Sequence, residues 1–267
     1  MRIQLLAASV LGAITLVMAP VAQAATSVIT VRPSNTQGWG FNADPANTTP
    51  YEFTNAQSSI GSGSLYVLPI GTTAADKFIA TKTLVIPTAD VSSLAYDFKI
   101  AGNGTSDSAN QFYLNVYTNL PGSTTYYDCR FDYAPTSGST SSFTTASFDA
   151  NSTPTFVKAR GTATCPTTLA AMLPGSTAKF IALNVGDTSA SDAGLAGYLD
   201  KVVVTTTSDS TTYDFEADLT YPKNKDECKK DAWKTFTGGD FKNQGQCASF
   251  VASNDKARNN MNNNPSF

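Results

Sequence analysis

Three stretches of this chain alternate apolar and polar side chains with a period of two, a pattern that only a half-buried strand can use. Along 93–100, Leu94, Tyr96, Phe98 and Ile100 alternate with Ala95, Asp97 and Lys99. Along 111–118, Phe112, Leu114 and Val116 alternate with Tyr113, Asn115 and Tyr117. Along 125–133, Tyr127, Cys129, Phe131 and Tyr133 alternate with Tyr126, Asp128, Arg130 and Asp132. Successive side chains of a strand point to opposite faces, so each apolar set must meet a core while its partners meet water.

The rest of the sequence agrees. Only three glutamates occur, Glu52, Glu216 and Glu227, while serine and threonine make up roughly a quarter of the residues, which suits strands and turns better than helices. Further strand-like runs at 27–32, 64–70, 78–86, 143–149, 179–185 and 198–206 are separated by Gly, Ser, Asn and Pro, a spacing that fits a two-sheet sandwich. Tyr213, Asp214 and Phe215 read as a last returning strand. A helical turn is expected after Cys165, with Pro166 at its first position and Leu169, Ala171 and Met172 behind it. The fold class is all-β.

Residues 1–24 read as an export signal: Arg2, an uncharged apolar run over 5–17, then the small-x-small site Ala22-Gln23-Ala24. The mature protein is therefore expected to be secreted, extracellular or at the cell surface, with no integral membrane segment. Residues 25–218 are expected to form the sandwich, 219–227 a polar linker, 228–253 a small cysteine-clasped module, and 254–267 a disordered Asn-rich tail. Four cysteines in an exported chain imply two disulfides. Of the three pairings, Cys129–Cys165 and Cys228–Cys247 are favoured because each lies within one unit; each loop closure is worth on the order of 3 to 4 kcal/mol. Trp233, Phe236, Phe241 and Phe250 are expected to pack on the second bridge, and Trp39 and Trp233 to act as packing anchors.

Two stretches carry a resemblance. Gly38-Trp39, Gly61-Ser62-Gly63-Ser64-Leu65, Tyr126-Tyr127-Asp128-Cys129-Arg130 and Ala196-Gly197-Tyr198-Leu199-Asp200-Lys201-Val202 resemble a group of secreted bacterial proteins of unknown function, over residues 31–216. That resemblance implies a jelly-roll sandwich, galactose-binding-like and similar to carbohydrate-binding modules. The run from Cys228 through Trp233 to Phe241-Lys242-Asn243-Gln244-Gly245-Gln246-Cys247 resembles a short C-terminal module of exported bacterial proteins that carries no activity with it.

Histidine is absent. Ser-His-Asp and Cys-His nucleophile systems are thereby excluded, as are the zinc hydrolase sites that need an imidazole. Residues 25–220 hold 9 Lys/Arg against 16 Asp/Glu, and 221–267 hold 8 against 5. An acidic main unit argues against nucleic acid, whose binding rests on neutralising phosphates.

The face carrying Tyr113, Asn115, Tyr117, Tyr126, Asp128 and Arg130, with Asp97 and Lys99 on a neighbouring strand, is the candidate ligand surface. Aromatic faces accept the apolar side of a pyranose, and planar polar groups take its hydroxyls. The expected partner is an extracellular glycan or envelope polymer.

No cofactor is expected beyond a structural calcium held by Asp200 with Asp187 and Asp192, in a loop that also carries Ser189 and Ser191. In similar carbohydrate-binding sandwiches the aspartate at the position of Asp200 pairs with an N-terminal acid, for which Glu52 or Asp44 would stand here. No catalytic residues are assigned. A structural surface-layer or matrix role is an alternative, as is a hydrolase using Asp128 with Asp132 or Asp97. Ser176-Thr177-Ala178-Lys179 matches Ser-x-x-Lys, but that motif should open a helix and 179–185 alternates like a strand.

Overall fold

The computed structural model describes residues 25–42, 49–71, 76–102, 108–187, 192–239 and 241–262. The expected export signal lies outside these residues, as do Asp44, Ser189 and Ser191. The chain is mostly β, with 44% of residues in strands, and its strands form two sheets packed as a sandwich.

The seven-stranded sheet contains β1 (Ala25–Val31), β3 (Tyr51–Thr54), β4 (Ser64–Val67), β6 (Val91–Gly102), β9 (Thr144–Asp149), β12 (Ala196–Thr206) and β13 (Asp209–Phe215). The long strand β12 organises it. One edge of β12 pairs with β6, which in turn pairs with β9. The other edge is shared between β4 at Gly197–Leu199 and β13 at Lys201–Thr205. Only β1 on β13 is parallel among these pairings.

The six-stranded sheet contains β2 (Trp39–Phe41), β5 (Phe78–Pro87), β7 (Phe112–Asn119), β8 (Cys129–Tyr133), β10 (Phe156–Ala159) and β11 (Thr177–Val185). It runs β10-β8-β7-β11-β5-β2 and is antiparallel throughout. The short strands β2, β3 and β10 carry no period-two signal long enough to stand out in the sequence. A single 3-10 turn at Leu169–Ala171 answers the helical turn expected after Cys165.

Between the sheets the apolar sets meet as the alternation requires. Leu94, Tyr96, Phe98 and Ile100 come from β6, and Phe112, Leu114 and Val116 from β7; all are buried. Phe98 stacks on Phe112 across the sandwich at 5.0 Å, and the Tyr96 hydroxyl donates to the Phe112 carbonyl. Each such side chain contributes about 2 kcal/mol through the apolar area it removes from water. Trp39 is buried too, edge-on to Tyr213 and Phe215 at 5.6 and 5.1 Å, an anchor as expected.

Two placements differ from the sequence reading. The strand expected over 125–133 begins only at Cys129, because Asp128 closes a turn ahead of it. Tyr127 therefore leaves the inward set, and its ring lies edge-on to the outward-facing Tyr117 at 5.0 Å. Second, β6 and β7 belong to different sheets, so Asp97 and Lys99 face away from the tyrosines of β7. Asp97 pairs with Lys201 at 3.2 Å and accepts from Thr145, and Lys99 donates to Gln57.

Both disulfides form as expected, Cys129–Cys165 and Cys228–Cys247. In the C-terminal unit Cys228, Cys247 and Val251 are covered by Trp233, Phe236 and Phe241, while Phe250 packs edge-on to Phe241 at 5.4 Å. The segment 219–227 is not a free linker. Tyr221 stacks on Phe250 at 5.6 Å, Thr220 and Thr237 exchange hydrogen bonds, and Lys225–Cys228 forms a 3-10 turn capped by Asn224.

Nor does the order end at residue 253, because helix α1 runs from Gln244 to Asn262. Its start is a reciprocal cap. Asn243 Oδ1 accepts from the Gln246 amide and Gln246 Oε1 accepts from the Lys242 amide. Once Cys247 and Val251 anchor the first turns, each further residue adds a backbone bond at small cost, even through an Asn-rich sequence.

Candidate functional site

The outer face of the six-stranded sheet carries the candidate site. Register places Lys158, Arg130, Tyr117, Phe180 and Thr83 side by side across five strands. The next row on the same face is Phe156, Asp132, Asn115, Ala182 and Thr81. One further step along, Tyr113 lies beside Asn184.

One end of the face is an aromatic platform. The register of β11 shifts between Ala178 and Phe180 against both neighbours. A bulge of this kind turns two consecutive side chains to one side. Ala178 stays in the core, while Lys179 and Phe180 both reach the outer face. Phe180 stacks on Tyr117 at 4.2 Å and 15°. Tyr126 closes on Phe180 at 5.2 Å and Tyr127 at 5.8 Å, and it remains 59% exposed.

Cations frame these rings. The Arg160 guanidinium lies 5.8 Å from the Tyr126 centroid and 5.4 Å from that of Tyr127, and Lys179 Nζ lies 5.8 Å from Tyr126 while donating to the Thr125 carbonyl. Burial pushes the Tyr117 hydroxyl up to about 12, against the pull of the Arg130 guanidinium beside it.

The other end is an open cleft of about 460 Å³, whose lining includes Lys77, Gln111, Tyr113, Arg130, Asp132, Phe156 and Asp187. Polar groups link the two ends. Asn184 Nδ2 donates to Asn115 Oδ1 at 2.8 Å, and Asn115 Nδ2 donates to Asp132 Oδ1 at 2.7 Å. Arg130 holds the same carboxylate through two bonds of 2.6 and 2.7 Å, an arrangement that fixes both planes. Arg130 also lies 5.9 Å from the Phe156 ring. Burial, aided by Asp132, raises the Tyr113 hydroxyl well above its ordinary value, so it is a neutral donor at any physiological pH.

Five of the six residues singled out in the sequence share this face; the sixth does a different job. Asp128 is buried and ties the 120–128 connection, accepting from the Leu120 amide at 2.8 Å and the Thr125 hydroxyl at 2.9 Å. Burial alone would raise its carboxyl. Bonds from Ser123, Leu120, Thr125 and Asn119 outweigh that and hold it below the usual range. Asp128 thus positions Tyr126 and Tyr127 and is closed to a ligand.

Sequence reasoning missed Phe180, Lys179 and Arg160. The bulge that turns the first two outward has no signature in a single strand, and Arg160 arrives from a loop. The backbone of that loop is fixed, with the Arg160 amide bound to the Asp128 carbonyl at 2.9 Å and Cys165 bridged to Cys129.

The residues named for calcium divide between two places. Asp192 accepts from the Asp187 amide at 2.7 Å, and burial raises its carboxyl to about 6. Asp200 sits elsewhere, under the 59–63 segment, where Oδ2 accepts from the Ser59 and Ile60 amides. Its neighbours are Asp97 and Asp214. Glu216, just past the end of β13, accepts from the Ser62 amide and hydroxyl at 2.6 and 2.7 Å. A Cβ on Gly61 would lie 1.9 Å from Glu216 Oε1, which explains a glycine there. Glu52 lies in β3 beside Tyr66 and not in this cluster's bonds.

Among the described residues no donor group reaches Oδ1 of Asp200 or Oδ1 of Asp214, both buried, and the two carboxyls are close enough to share a proton; paired carboxylate oxygens of this kind also suit a hard cation. Among the described residues no group of three carboxylates or thiolates has metal-binding geometry. A cation between these two would complete its shell with backbone oxygens or water. Burial, with Glu216 and Asp200 adding to it, pushes the Asp214 carboxyl up to about 6.

No family model matches the chain, and no curated protein matches it either. Among solved structures it is similar to the family 11 carbohydrate-binding module from Clostridium thermocellum in complex with a beta-1,3-1,4-mixed-linked tetrasaccharide, at 12% identity over 64% of this chain and 91% of that one, TM-score 0.39. It is also similar to the CBM22-1 xylan-binding domain from Paenibacillus barcinonensis, at 15% identity over 64% and 86%, TM-score 0.33. A third is the K1 cleaved adhesin domain of Lys-gingipain from Porphyromonas gingivalis W83, at 12% identity over 63% and 90%, TM-score 0.35.

Proposed function

We propose that the protein is a secreted, non-catalytic carbohydrate-binding module whose ligand surface is the outer face of the six-stranded sheet. The observation that carries this reading is the continuity of that face. A stacked aromatic platform at one end and an open cleft at the other are joined by the fixed planes of Asn115, Asp132 and Arg130. Sugars are bound by that combination, with C–H faces on rings and hydroxyls on preorganised amide, carboxylate and guanidinium groups.

The non-catalytic part rests on the carboxylates. Asp132 is held by Arg130 and Asn115, Asp187, the other carboxylate of the cleft, shares a hydrogen bond with Asp192, Asp128 is held by its turn, and Asp97 lies on the other sheet paired with Lys201. A glycosidase needs two carboxyls facing one bond. Ser176 is buried at the entry to a strand, so the Ser-x-x-Lys match has no helix to open.

The test is retention on a panel of insoluble and immobilised polysaccharides, comparing wild type with Tyr113→Ala/Tyr117→Ala. Loss of retention in the double variant, with unchanged far-ultraviolet dichroism and a cooperative thermal transition, supports the reading. Equal retention by both proteins removes this face as the site. A structural calcium at Asp200 and Asp214 is proposed alongside, supported by their paired carboxylate oxygens; it would tie the 59–63 segment to the seven-stranded sheet and take no part in ligand contact.

A further inference from the structure

The platform end of the face is cationic in an otherwise acidic unit. Arg160, Lys158 and Lys179 gather there, while residues 25–220 carry nine basic against sixteen acidic residues. The nearest carboxylates are already engaged. Asp132 is neutralised by Arg130 in a bidentate pair, and Asp128 is buried in its turn. Among the described residues, Arg160, Lys158 and Lys179 make no ion pair. Lys179 spends one donor on the Thr125 carbonyl and keeps its charge uncompensated. Unpaired cations beside an exposed ring are arranged for a ligand with an apolar face and a negative substituent.

Resting on the module reading above, we propose that this end selects a glycan bearing a carboxylate or sulfate group. The sugar ring meets Tyr126, and its anionic substituent meets Arg160 and Lys179. Remote acidic groups are screened beyond about 8 Å at physiological salt, so the local cations set the sign of the contact. A densely charged polymer would run past these cations into direct contact with the rest of an acidic unit, at distances salt does not screen. The fit is therefore to a sparsely charged chain that presents one ionised sugar to the platform.

The experiment is an array in which each uronate-bearing or sulfate-bearing oligosaccharide has its neutral counterpart, the methyl ester or the desulfated sugar. It is probed with wild type and with Arg160→Gln/Lys179→Gln, at low and high salt. Arg160 is exposed and Lys179 half-buried, and matching thermal midpoints verify the fold of the variant.

The expected result is at least a tenfold preference of wild type for charged members, weakened by salt, and a fall of that ratio of charged to neutral retention to near one in the variant. The uronate and sulfate arms show which anion is taken. Equal retention of charged and neutral members by both proteins overturns the anionic selectivity and leaves the module reading standing. Retention of no member by wild type overturns both.

Discussion

The ring of Phe180 lies 4.2 Å from that of Tyr117 and nearly parallel to it, on the outer face of the six-stranded sheet. Core residues behind the pair fix Tyr117 through β7 and Phe180 through the bulge in β11. Tyr126 leans on the edge of this stack and stays exposed. Tyr126→Ala should therefore leave stability within about 0.5 kcal/mol. It should weaken glycan retention about tenfold, or about 1.4 kcal/mol. Affinity electrophoresis with a retained polysaccharide, alongside a denaturant titration, checks both numbers.

The turn held by Asp128 links stability to the shape of the platform. Asp128→Asn keeps the size and removes a charged acceptor of several hydrogen bonds, at an expected cost of about 1.5 to 3 kcal/mol near pH 7. Its folded-state value is depressed, so the stabilisation is present above about pH 4 and lost as pH falls through the folded value. The gap between wild type and variant in urea titrations should accordingly narrow below pH 4.

Buried carboxylates elsewhere act with the opposite sign. Asp192 and Asp214 are raised to about 6 by burial, and Asp200 is raised as well. The folded chain thus binds more protons than the unfolded one between about pH 4 and 6. Their contribution is full below pH 4 and is lost as pH rises through 6. In EDTA the thermal midpoint should be higher at pH 5 than at pH 8, and Asp214→Asn should gain about 1 to 2 kcal/mol at pH 8. Calcium at millimolar concentration should raise the wild-type midpoint at pH 8 and leave Asp214→Asn unmoved. An unmoved wild type rules out the cation.

Removing the Cys129–Cys165 bridge should cost on the order of 3 to 4 kcal/mol. It should also loosen the loop that brings Arg160 to Tyr126 and Tyr127. Hydrogen exchange in Cys129→Ser/Cys165→Ser should show the Arg160 amide losing protection before the amides of β7.

The layers were legible wherever a strand was long enough to alternate. Phe112, Leu114 and Val116 announced β7, and Leu94 to Ile100 announced β6. Sheet membership was not, because nothing local says that consecutive strands cross the sandwich, and alternation alone puts Asp97 and Lys99 beside the wrong neighbours. Tyr127 was misplaced for a different reason: alternation cannot see that Asp128 ends the strand by bonding back to Leu120. The bulge that exposes both Lys179 and Phe180 is set by pairing on two edges at once. The start of α1 was readable in retrospect, since Asn243 and Gln246 stand at capping-box spacing.

The most direct measurement follows aromatic side-chain resonances by NMR while a retained glycan is titrated in. Tyr117, Tyr126 and Phe180 report on the platform, and Tyr66 and Tyr198, stacked on each other at 4.6 Å, report on the opposite sheet. The expected result is saturable shifts of the first three with the second pair unchanged. Shifts at Tyr66 and Tyr198 with a silent platform would contradict the assignment of the binding face.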